Sequence, residues 1–307
     1  MIPEIKDFTV ITHFIKSLIK FLFALFFISR LFAERSVGLN SLKIGVGARE
    51  IGMGLTGVSQ AQGGFAIYFN PAIAGNFHSI NLNLGYADWI FDTDQSSLFF
   101  IHPTKLINFG LGLILFNYGS VELRRDKPEE KIGDYSPKDV TLYFNLAKAI
   151  SERISLGASL RYFYERIYTY ETDQWGIDWG ILYNWQGLKV GFSYLNWGDV
   201  LRFVREKFYL PTTAHLGVSY NIPINRLSIL PAFDFSYSIY EKRYDFSLGS
   251  EVNIRNTVFL RIGYGKKSPT FGLGFQKGFF YIDYSGQIKG EFPTPGHHFS
   301  LGLKSGL

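Results

Sequence analysis

Cysteine is absent from this chain, which excludes a disulfide framework and any thiolate metal site. Long apolar runs are scarce as well. The strongest, FLFALFFI at 21–28, falls well short of the roughly twenty residues such a helix needs. A large excess of one charge is also missing: 31 Lys and Arg stand against 26 Asp and Glu, too balanced to point to nucleic acid. Gly52-Met53-Gly54-Leu55-Thr56-Gly57 matches G-x-G-x-x-G in form. Residues 72–82 lack the Asp or Glu that a dinucleotide fold places about twenty positions on, and antiparallel strand follows instead of a βαβ unit. His297-His298 is the only histidine pair, and neighbouring strand residues point to opposite faces, so the two cannot readily hold one metal. No Ser/His/Asp spacing stands out. His215 and Ser219 share a strand face, as residues of any barrel lumen would. These gaps point away from an enzyme, and no cofactor or metal is expected.

What the chain has in quantity is aromatic and small residues: Phe 30, Tyr 19 and Gly 32. Aromatic residues favour strands, and dispersed glycine disfavours helix interiors. Residues 1–33 read as a signal peptide, with Lys16 and Lys20 ahead of the apolar run and the small Ala33 at a possible cleavage point. A single anchoring helix is the alternative. The twenty residues ahead of the apolar run are long for a signal and point to a start downstream of Met1. Removing 1–33 takes away Lys6, Lys16, Lys20 and Arg30 together with Glu4 and Asp7, and leaves a net charge of +3.

From residue 79 onward one pattern recurs. In 153–166 the even positions Ile154, Leu156, Ala158, Leu160, Tyr162 and Tyr164 alternate with Ser155, Gly157, Ser159 and Arg161. In 175–185 Trp175, Ile177, Trp179, Ile181, Tyr183 and Trp185 alternate with Gly176, Asp178, Gly180 and Asn184. Period two over such lengths is β-strand. About fourteen strands are expected, at 79–90, 95–102, 107–118, 138–149, 153–166, 174–185, 188–196, 213–221, 227–239, 244–254, 257–265, 269–276, 279–285 and 297–304. Many are near the length of a tilted membrane-spanning strand, about ten residues.

A soluble sandwich also alternates, so other features choose between the two. The polar parity is rich in Gly, Ser and Asn and carries Arg161, Asp178, Lys189, His215, Asp234, Glu251, Arg261 and Asp283. This suits a wet or plugged lumen better than a solvated face, which would carry more Lys and Glu. Tyr86, Trp89, Trp175, Trp185, Tyr194 and Trp197 gather towards strand ends, as in the aromatic girdles of membrane barrels. The long links, 119–137, 167–173, 197–212 and 286–296, all fall on one side, and short turns fall on the other. The charged stretch 124–139 reads as a solvated external loop. The expected fold is an all-β transmembrane antiparallel β-barrel of about 14 strands over 79–307. The glycine-rich segment 34–78 lies outside the wall, with Ile51, Leu55 and Val58 at helical spacing. Too glycine-rich to stand alone as a helix, it is expected to serve as a hatch or plug in the lumen.

Residues 47–75 resemble the amino-terminal signature of the PorV/PorQ family, within the wider group of FadL-like outer-membrane barrels. The matching residues are Gly47-Ala48-Arg49, Met53-Gly54, Ala61, Tyr68-Phe69-Asn70-Pro71-Ala72 and Gly75. Two places depart from the family pattern. Leu55 stands where a second glycine is usual, and Gln62-Gly63-Gly64 where acidic residues are usual. The resemblance implies a non-catalytic docking or shuttle component for protein secretion of the type IX kind. Its partners would be outer-membrane lipid and secreted cargo or secretion subunits. The alternative is a FadL-like transporter of a hydrophobic small molecule, with Leu201, Phe203, Val204, Phe208, Tyr209 and Leu210 lining a pocket under the external loops. Those residues could equally bind a protein partner or cap the barrel. Asn70-Pro71-Ala72 is expected to mark where the hatch turns into the first wall strand. Arg49 is expected to face Asp178, Asp234 or Glu251, because a buried unpaired guanidinium is too costly.

Overall fold

The computed structural model describes residues 35–124, 130–203, 206–288 and 295–306. The expected signal segment therefore lies outside the described residues. The wall begins with β1 (Ser79–Asp88), β2 (Asp94–His102) and β3 (Asn108–Asn117). A small hairpin, β4 (Val121–Arg124) and β5 (Lys131–Tyr135), stands in the following loop. The wall resumes with β6 (Lys138–Ala149), β7 (Ile154–Ile167), β8 (Tyr170–Trp185) and β9 (Leu188–Gly198). A second small hairpin is made by β10 (Val200–Phe203) and β11 (Glu206–Tyr209). Next come β12 (Thr213–Tyr220), a short β13 (Ile222–Ile224), β14 (Leu227–Ser238) and β15 (Arg243–Ile254). The wall ends with β16 (Val258–Gly265), β17 (Ser268–Lys277), β18 (Phe280–Gln287) and β19 (Gly296–Gly306).

Every wall strand runs antiparallel to its neighbours. β1 pairs with β19, Leu82 opposite Leu303, and β12 pairs with both β9 and β14, so the fourteen wall strands close on themselves. Closure leaves no sheet edge, and a closed barrel is the β-structure that hydrocarbon accepts. The expected strands and the observed ones agree to within a few residues at each end. One link differs. The fifth, expected at 167–173, is a two-residue turn, because β7 and β8 stay paired up to Ile167 and Tyr170. β8 continues six residues beyond its pairing with β9, which begins at Gly176.

The two faces separate as the alternation requires. Leu142, Phe144, Leu156, Leu160, Ile177 and Trp179 point outward and are exposed, and comparable residues continue around the wall. An uninterrupted apolar girdle of this kind is a lipid-facing surface. Trp175, Trp197 and Tyr244, all exposed, stand towards its long-loop end. The inward face is small and polar, and residues 35–78 press against it. Here Phe65, Ile67, Phe69 and Ile73 of that segment meet Phe99, Ile101, Tyr143 and Leu182 of the wall in one buried cluster. The hydrophobic core of the molecule thus lies inside the barrel.

Candidate functional site

The segment 35–78 is built from turns, as its glycines dictate. A short helix, Ala48–Gly52, follows Gly47 and stops at once, because Gly54 and Leu55 take left-handed φ of 72° and 67°. The helical spacing of Ile51, Leu55 and Val58 therefore does not continue as a helix, although all three side chains are buried.

The short helix sets Arg49 against the wall. Its Nε donates to Glu251 Oε2 at 2.9 Å and its Nη2 to Glu251 Oε1 at 3.1 Å, a two-pronged pairing. Nη1 donates to Glu50 Oε1 at 3.0 Å and to Gln60 Oε1 at 2.5 Å. Glu251 also accepts from Arg261 Nε at 2.6 Å, and Arg261 Nη1 reaches Asp283 Oδ1 at 2.7 Å. Of the three carboxylates expected for Arg49, Glu251 is the one it meets. Burial works against the Arg49 charge, but Glu251 and Glu50 outweigh it and hold the guanidinium protonated more firmly than usual. Burial pushes the Glu50 carboxyl up despite Arg49.

The other two carboxylates have different partners. Asp234 Oδ2 accepts from the main-chain N–H of Gly57 at 2.7 Å and of Val58 at 2.9 Å. It therefore holds the segment by its backbone. Asp178 accepts from Arg161 Nη1 at 3.2 Å and from Asn196 N at 2.6 Å. Arg161 also donates to Tyr143 and Asn196, and its guanidinium stacks 4.2 Å from the centre of the Tyr143 ring.

Met53 and Gly54 lie against β15 and β16. A methyl group added at Gly249 or Gly263 would overlap the Met53–Gly54 main chain. Gly54 N donates to Thr270 Oγ1 at 3.0 Å, and Ala48 N to Ser300 Oγ at 2.7 Å. Asn70 caps the turn that follows. Its Oδ1 accepts from Ala72 N at 3.0 Å, while its Nδ2 donates to Val58 O at 2.8 Å and to Ile181 O at 3.1 Å. Pro71 occupies the first position of the 3-10 turn Pro71–Asn76, where its missing N–H costs nothing. The expectation for this motif needs correcting. Asn70, Pro71 and Ala72 are fully inside the barrel, and the chain joins the wall one turn later, at Ser79.

The loop residues expected to line a pocket are packed on the segment. Leu201 and Leu210, with half-buried Phe208, cluster with Leu39, Leu42 and Phe163. The Tyr209 ring lies under the Arg35 guanidinium at 4.6 Å. Phe203 pairs with Glu206 in the β10–β11 register, and Val204 lies outside the described residues. This hairpin covers the long-loop mouth.

A cavity of about 150 Å³ lies between the segment and β12, β14 and β15. Leu55, Val58 and Phe69 of the segment line it together with the charged and polar side chains of Arg161, His215, Asp234 and Lys266. Burial pushes the phenol of Tyr68, at the same cavity, up to about 12. His297 and His298 point to opposite faces: His297 Nδ1 lies 2.9 Å from the Tyr284 hydroxyl, and the His298 ring meets Trp89. Several holding residues were not singled out in the sequence. Asn83 accepts from Gly64 N at 2.6 Å, and Asp139 accepts from Ser41 Oγ at 2.5 Å. Their only signal is a polar side chain on the inward parity.

No family model matches the sequence, and no curated protein does. Solved structures do. The Pseudomonas putida toluene transporter TodX is similar with a TM-score of 0.62 and 13% identity, over 89% of this chain and 98% of that one. The CymD monoaromatic hydrocarbon channel is similar with a TM-score of 0.61 and 14% identity, over 86% and 98%. A Pseudomonas aeruginosa FadL homologue gives 0.55 and 13%, over 89% and 99%. At these identities the likeness is one of fold.

Proposed function

We propose that this chain is an outer-membrane barrel that passes small hydrophobic molecules, with residues 35–78 acting as a hatch across its lumen. The observation that carries the reading is the fold likeness to the toluene transporter over 89% of the chain, together with a cavity beside the hatch. That cavity, about 150 Å³, matches in volume one that holds a single aromatic ring, and polar and charged side chains share its lining with apolar ones. The lipid-facing girdle supports the membrane placement, and residues 1–33 would supply the export signal.

The two sequence-based functions change order. Two of the similar structures are a toluene transporter and a monoaromatic hydrocarbon channel. Docking for protein secretion, implied by the PorV/PorQ resemblance, therefore stands behind small-molecule transport.

Uptake of labelled toluene by cells with and without the chain tests the reading. Faster uptake with the chain, and unchanged uptake of a sugar of similar size, is the expected result. Equal uptake of toluene by both cells would remove the transport reading.

A further inference from the structure

Five of the six turns at the end of the barrel opposite the long loops share a composition that transport leaves unused. Lys105, Lys148, Arg153, Arg226, Arg255 and Lys277 are exposed in or beside them. Among the described residues at that end, Glu152 is the one acidic side chain. At the other end the signs are mixed: Asp92, Glu122, Asp134 and Glu171 stand with Lys131 and Lys242.

Four of the six cations are set close to an exposed apolar residue. Lys105 precedes Leu106, Arg153 follows Ile150, Arg226 follows Ile224 and Lys277 precedes Phe279. Leu106 is 71% and Phe279 67% exposed. Large apolar side chains at turn tips are costly in water but at home at the edge of hydrocarbon, where they extend the lipid-facing girdle. A ring of like charge repels itself unless anions lie against it. The apolar neighbours fix where those anions are: at the depth of lipid phosphates, just outside the acyl chains.

We infer that this collar binds the headgroup phosphates of anionic phospholipids in the leaflet beside the short turns. Short turns mark the periplasmic side of such barrels. The inference rests on the membrane placement proposed above and not on transport. The collar would fix the depth and tilt of the barrel, each cation contributing by proximity to an anionic surface.

Native mass spectrometry of the full chain, released from nanodiscs of mixed phosphatidylethanolamine and phosphatidylglycerol, tests it. Retained phosphatidylglycerol is expected to exceed its share in the nanodisc about tenfold. The excess should vanish in Lys105→Gln/Lys148→Gln/Arg153→Gln/Arg226→Gln/Arg255→Gln/Lys277→Gln and shrink in Arg226→Gln/Arg255→Gln. It should persist in Lys207→Gln/Lys242→Gln/Lys267→Gln at the other end. Gel migration before and after boiling reports that each barrel is folded. Lipid retained in proportion to the nanodisc, or an excess that survives the collar changes, overturns the inference. So does binding of an acidic peptide without lipid enrichment, which would assign the collar to a protein partner. A barrel that enters no nanodisc of either lipid removes the membrane placement itself.

Discussion

Arg49 is a charge that the barrel interior can hold only in company. Its side chain and that of Glu251 are each 4% exposed, and their two-pronged pairing shares Glu251 with Arg261. Removing one member of such a buried set leaves an uncompensated charge and costs about 3–5 kcal/mol. Arg49→Ala is therefore expected to loosen residues 47–60 while the wall stays folded. Proteinase digestion of the assembled barrel checks this: early cleavage in the segment with an intact heat-resistant wall is the expected result. Protection equal to the unaltered chain would show that the arginine anchors nothing. Lysine is a poor replacement, because a single ammonium cannot grip both Glu251 oxygens in the same geometry.

At the scale of the element, the hatch and wall meet where side chains are missing. β15 and β16 present Gly249 and Gly263 to the Met53–Gly54 main chain, and a Cβ at either place would overlap it. Gly249→Val is expected to lift the segment from β15 and expose it to protease about as strongly as Arg49→Ala does. Gly133→Ala, in open space on the β4–β5 hairpin, should change nothing. The wall was legible in the sequence for a simple reason: lipid outside and a crowded interior inside impose period two on every strand. The fifth link was misread because Tyr168, Thr169 and the residues around them carry no Gly or Pro, and a strand that leaves the membrane loses its apolar parity. That residues 35–78 stand outside the wall was legible, but their contacts were not. Arg49 had three candidate carboxylates on one parity, and only the barrel's curvature and register bring Glu251 to it. Asn70-Pro71-Ala72 read as a junction because proline ends strands, yet the motif caps a turn deep inside. The two small hairpins escaped notice because four-residue strands with mixed charge look like loop.

For the whole molecule the account makes the hatch the gate. The absence of cysteine allows this to be tested cleanly, since any engineered pair is the only pair. Ser59 of the segment and Ser219 on β12 have their hydroxyls 3.0 Å apart, so their side chains face each other and mark the place for an engineered disulfide. The deciding measurement is toluene uptake by cells carrying Ser59→Cys/Ser219→Cys, oxidised and then reduced. The account predicts that oxidation lowers uptake to the level of cells without the chain and that reduction restores it. Uptake unchanged by the closed disulfide would contradict the hatch as gate and leave it a fixed filling of the barrel.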